Sequence, residues 1–115
     1  MNPVTVAMHF EGKPAELKAA YDRLIAALNE FGPIREVPKQ TSIHLEKNSG
    51  FAGIHPRKSH FNLEFRTNIK IEPPRIQREL QVSSRRFEYT VKIAALGDID
   101  AELIGWLREA YDFSR

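Results

Sequence analysis

The stretch His60–Arg66 reads HFNLEFR, with Phe61, Leu63 and Phe65 alternating against His60, Asn62, Glu64 and Arg66. Strict alternation is the period of a β-strand with one apolar face and one wet face. The same period returns in Thr41–Lys47, where Thr41, Ile43 and Leu45 oppose Ser42, His44 and Glu46. It returns again in Arg86–Ala94, where Phe87, Tyr89, Val91 and Ile93 point one way. Short turns join the middle strands, so they pair as antiparallel neighbours, and their apolar side needs a cover.

The cover comes from the two ends of the chain. From Pro14 to Phe31, the residues Leu17, Ala20, Tyr21, Leu24, Leu28 and Phe31 recur at helical spacing. Pro14 suits a first turn, and Gly32-Pro33 is a stop signal. A second stripe, Ile99, Leu103, Trp106, Leu107, Ala110 and Tyr111, predicts a helix over Ile99–Tyr111 with Asp98 as N-cap. Ile34–Val37 and Phe51–His55 read as further short strands. Val4–Phe10 is compatible with a strand or a helical turn. After the break Glu72-Pro73-Pro74, the segment Arg75–Gln81 reads as an edge strand or a helical turn. The expected architecture is α+β: a two-layer sandwich with a mainly antiparallel sheet of four to six strands, and N- and C-terminal helices packed on one face.

A chain of 115 residues is the size of a single domain, expected over 1–115. Cysteine is absent, which excludes disulfides and cysteine-based metal or redox chemistry. Met1-Asn2-Pro3-Val4-Thr5-Val6 lacks the pattern of a signal peptide, and no stretch has the apolar length of a membrane span. A cytoplasmic location without membrane contact is the expectation. The net charge of +2 hides an asymmetry, since residues 38–92 carry 11 basic and 5 acidic side chains. A basic middle attracts phosphates, although mixed charges also serve solubility alone.

The wet face of the sheet holds the candidate site. A turn at Asn48-Ser49 sets His44 opposite Gly53, and a turn at Arg57-Lys58 sets His55 opposite His60. Ser42, His44, Glu46, Phe51, Gly53, His55, His60, Asn62 and Glu64 then share the open face. That places three of the four histidines beside two glutamates. His44, His55 and His60 with Glu46 and Glu64 form a weak candidate set for a divalent metal, because imidazole and carboxylate are ordinary ligands. Polar residues on a solvated sheet face are also expected without any function. Arg57, Lys58 and Ser59, with Lys39 nearby, offer cations and a hydroxyl to a phosphate or carboxylate. Phe51 is either an exposed aromatic ready to stack or, with the register shifted by one, a core residue.

No nucleophile elbow, Ser-His-Asp order or Walker-type loop is present. The expected function is a non-enzymatic binding module whose open face and basic turn meet an anionic ligand, nucleic acid or protein partner. Its ligand-binding candidates are Arg57, Lys58, Ser59, Lys39, His44 and Phe51. The alternatives are a metal-handling protein, and a small enzyme acting on a phosphorylated or carboxylated metabolite, with Glu46 and Glu64 as an acid–base pair. No cofactor is expected unless a divalent metal binds. The chain is expected to be a monomer or a homodimer.

A set of short motifs runs through nearly the whole chain: His9-Phe10-x-Gly12-Lys13-Pro14, Phe31-Gly32-Pro33, Lys39-x-x-Ser42-Ile43-His44, Phe51-Ala52-Gly53-Ile54-x-Pro56-Arg57-Lys58 and Leu103-Ile104-x-Trp106-Leu107-x-x-Ala110-Tyr111. As a set it resembles the bacterial domain-of-unknown-function family 5655. The resemblance implies a stand-alone or appended module without established activity. Related modules joined to nuclease-like partners imply a nucleic-acid setting. The layout is also similar to frataxin-like helix–sheet–helix domains. Some of those handle iron through acidic side chains, but the first helix here lacks the acidic character such binding would want.

Overall fold

The computed structural model describes residues 4–72 and 74–114. Met1-Asn2-Pro3, and Pro73 of the expected break, lie outside the described residues. Helix α1 spans Ala15–Asn29 and α2 spans Ala101–Phe113. Between them run β1 (Arg35–Pro38), β2 (Ile43–Glu46), β3 (Gly50–Pro56), β4 (Phe61–Thr67), β5 (Ile76–Ser83) and β6 (Arg86–Ile93). All pairings are antiparallel, in the order β1-β2-β3-β4-β6-β5. This is the α+β helix–sheet–helix sandwich that the alternation predicts. Val4–Phe10 forms a 3-10 turn over Ala7–Phe10, and the ambiguous segment after Pro74 is the edge strand β5.

The apolar rows lock the layers together. Ile43, Ile54, Leu63 and Val91 sit side by side across β2, β3, β4 and β6, each 0% exposed. Leu17, Leu24 and Leu28 of α1, with Leu103 and Leu107 of α2, bury against this face. At one end Phe10, Tyr21 and Phe61 form a ring cluster, with centroids 5.1 to 6.4 Å apart. The Tyr21 hydroxyl donates to Glu36 Oε1 at 2.7 Å, so the ring stays buried while its polar end finds an acceptor on β1. The Tyr89 hydroxyl accepts from Ile71 N–H at 2.7 Å and donates to the Ile69 carbonyl at 3.3 Å. That pair of bonds ties the strand-to-strand loop to the core.

One local expectation is corrected. The N-cap of α2 is Asp100, which accepts from Leu103 N–H at 3.0 Å. Asp98 instead accepts from the Ala94 and Ala95 N–H groups at 2.8 and 3.0 Å, closing the 3-10 turn Leu96–Asp98. Arg75, just before β5, grips Asp100 at 2.8 Å and also donates to the Asp98 carbonyl. Burial pushes the Asp100 carboxyl up, but the Leu103 N–H and the Arg75 guanidinium outweigh it and hold the group below its ordinary value.

Gly32, three residues beyond α1, has φ +152, and a Cβ there would run into the Tyr111 hydroxyl, which donates to the Pro33 carbonyl at 3.2 Å. Gly32→Ala is therefore expected to destabilise the fold by roughly 1–3 kcal/mol, the usual cost of overpacking. Urea denaturation measures it, and an unchanged midpoint would show that Tyr111 moves aside freely.

Candidate functional site: the open face of the sheet

The turn at Asn48-Ser49 produces the predicted register, His44 opposite Gly53 and Leu45 opposite Ala52. The next hairpin differs. His55 pairs with Asn62, not His60, and Gly53 pairs with Glu64. Arg57 N–H donates to the His60 carbonyl at 2.8 Å, so the connection is a four-residue loop, Arg57–His60. The slip is two residues, and an even slip keeps every side chain on its expected face.

Phe51 is where face parity fails. A bulge between Leu45 and Glu46 sets Glu46 opposite Gly50 and leaves Phe51 as the extra residue. Its side chain turns into the core, 2% exposed, edge-on to the Tyr111 ring at 5.5 Å. It is not a free stacking surface. Ser42, also expected on the open face, is buried at 7% exposure.

Two rows define the open face. One runs His44, Gly53, Glu64, Thr90 and Arg78; the other runs His55, Asn62 and Lys92. Gly53 leaves the first row without a side chain, and a concavity of about 330 Å³ opens there, walled by His44, Glu46, His55, Glu64 and Arg66. His55 Nε2 lies 3.9 Å from Glu64 Oε2. Burial, then repulsion from Glu88, raises the Glu64 carboxyl; His55 and Arg66 pull the other way. Glu46 is bridged to Arg35 at 2.9 Å. Among the described residues no three His, Asp or Glu side chains gather as a metal site would need, and the His55–Glu64 pair offers two ligands.

The basic candidates collect at one end of the sheet. Strand directions bring the β1–β2 turn, the Arg57–His60 loop and Lys92 to the same side. Arg57, Lys58 and Ser59 are exposed. Lys39 N–H bonds the Ser42 carbonyl at 2.7 Å, and its own carbonyl meets His9 Nε2 at 2.8 Å, which fixes the turn that carries it. Among the described residues, Lys39, Arg57, Lys58 and Lys92 have no carboxylate within bridging distance, whereas Arg35, Arg66 and Lys70 each have one and Arg75 has two. Burial and then the charges of Lys92 and Arg57 hold the His60 imidazole below its ordinary value. Asn62 Oδ1, beside Lys92 in the ladder, is buried without a hydrogen-bond partner.

Lys92 and Glu88 are the site residues that sequence reading missed. Alternation in Arg86–Ala94 puts both opposite Phe87, Tyr89 and Val91, so their face was legible. Their neighbours were not, because β6 reaches β4 by passing over β5 in sequence.

A carboxyl raised on folding costs stability when ionised. The penalty is full above the raised value and vanishes below the ordinary 4.5. Glu64→Gln is thus expected to stabilise the protein at pH 7, with the gain disappearing toward pH 4. Thermal melts across pH test this, and a variant less stable than the parent at pH 7 would refute it.

Among the described residues no helix is long and apolar enough to cross a membrane. No curated protein and no solved structure matches the chain. One family model does, over residues 6–114, and the chain belongs to that family: Domain of unknown function (DUF5655).

Proposed function

We propose that the protein is a non-enzymatic binding module that receives a phosphate-bearing partner at the basic end of its open sheet face. The observation that carries this reading is the set of unbridged cations there. Surface cations are commonly neutralised by nearby carboxylates, as Arg35 and Arg66 are on this same sheet. Arg57, Lys58 and Lys92 instead keep their charge available around His60. Such a cluster draws in anions by Coulomb attraction focused at one surface.

The burial of Phe51 shapes the reading. Without an exposed aromatic on this face, base stacking contributes little, so recognition runs through phosphate charge. Lys39, on a turn pinned by His9, extends the same surface.

A labelled single-stranded oligonucleotide and inorganic polyphosphate serve as probes, followed by fluorescence anisotropy between 50 and 200 mM salt. Both are expected to bind, with affinity falling steeply as salt rises. The double variant Arg57→Ala/Lys92→Ala should lower the log–log salt slope by about 2, one for each lost phosphate contact. The His60 imidazole titration, followed by NMR, should move upward when polyphosphate is bound, because the anion offsets the two cations. Binding that ignores salt, or is indifferent to the double variant, would overturn the reading.

A further inference from the structure

A second cavity, about 450 Å³, lies at the opposite end of the sheet from the basic loop, between the start of β3 and the end of α2. It shares Ser49, Gly50, Phe51 and Arg66 with the concavity on the open face, so the two are continuous along one wall. Their chemistry differs. The open-face part is rich in hydrogen-bond acceptors, and the second part holds Arg66, Arg86 and Phe113.

Two groups in this groove have binding capacity left over. Glu46 is bridged to Arg35 and Glu88 to Arg66, whereas Glu64, hydrogen-bonded to Glu88, has no Lys or Arg within bridging distance among the described residues and His55 at 3.9 Å. Arg66 is partly neutralised by Glu88 at 3.1 Å. Arg86 has no carboxylate within bridging distance among the described residues, and its guanidinium lies 5.9 Å from the Phe113 ring centroid, which steadies it without cancelling its charge. A carboxylate without a Lys or Arg bridge and a guanidinium without a carboxylate bridge thus stand at the two ends of one groove, among the described residues.

Their spacing can be placed from the ladder. Glu64 pairs with Thr90, four residues along β6 from Arg86. At the strand rise this is about 13 Å of backbone, and long side chains reaching inward shorten it. We propose that this groove takes a nucleoside monophosphate, with a donor-bearing base edge on Glu64 and the phosphate on Arg86. A planar carboxylate accepts two parallel N–H bonds from such an edge, and a guanidinium fork suits phosphate oxygens. The groove is distinct from the Arg57–Lys92 end, so the two proposals stand or fall separately.

The test uses GMP, guanosine and inorganic phosphate as probes, with amide NMR spectra of the whole protein and binding isotherms. GMP is expected to shift amides at 50–53, 64–66 and 86, and to bind at least tenfold more tightly than either fragment. Arg86→Ala should lose that tenfold advantage for GMP while leaving guanosine unchanged. Glu64→Gln should weaken GMP and guanosine together. Arg86 is exposed and Glu64 half-buried, and unchanged amide dispersion in each variant confirms the fold. GMP binding no tighter than phosphate, or insensitive to Arg86→Ala, would overturn the proposal. So would shifts confined to residues 57–60 and 92, which would assign the nucleotide to the other end of the sheet.

Discussion

Everything in this structure depends on burying one side of an antiparallel sheet under two helices. The row Ile43, Ile54, Leu63 and Val91 is fully excluded from water, and its neighbours Leu45, Phe65 and Tyr89 are too. Each large apolar side chain moved out of water contributes about 1.5–3 kcal/mol. That gain fixes the face of every central strand, since an odd slip of any one would expose its whole apolar set. Because both helices use the same face, the other is left polar, and the candidate chemistry follows from that one-sidedness.

The helix ends show how the layers are fastened. Lys47 Nζ sits 4.4 Å over the Tyr111 ring and donates to the Tyr111 carbonyl at 3.3 Å, a cation at the negative end of α2. Arg75 does the reverse at the other end, gathering Asp100 and Glu102 near the α2 N-terminus. These contacts are too exposed to be strong individually. Their effect is to align α2 so that Tyr111 meets Phe51 and Trp106 stacks on Phe65. The burial of Phe51 then shapes both cavities beside it.

The open face is not chemically uniform. Its middle is a concavity in which Glu64 is crowded by Glu88 and relieved by His55. One end holds cations that, among the described residues, have no carboxylate within bridging distance, and the other holds Arg86 against an aromatic ring. The Glu64 carboxyl, raised by burial, works against stability when ionised, and perturbed groups of that kind are candidates for function. Membership of DUF5655 covers residues 6–114 and therefore all of these features.

The sequence by itself determined what depends on near neighbours along the chain. Alternation assigned Leu63 inward and Glu64 outward, Gly32-Pro33 stopped α1, and the Asn48-Ser49 turn set His44 against Gly53. These are local because strand period and turn geometry involve only a few consecutive residues. Tertiary structure decided what depends on strand order and on competition between segments. The placement of β6 beside β4 brought Glu88 to Glu64 and Lys92 to Asn62, a pairing distant in sequence that no local period encodes. The bulge at Phe51 was also decided there: the space beside Tyr111 rewarded burying a phenyl ring more than the ladder rewarded keeping its step.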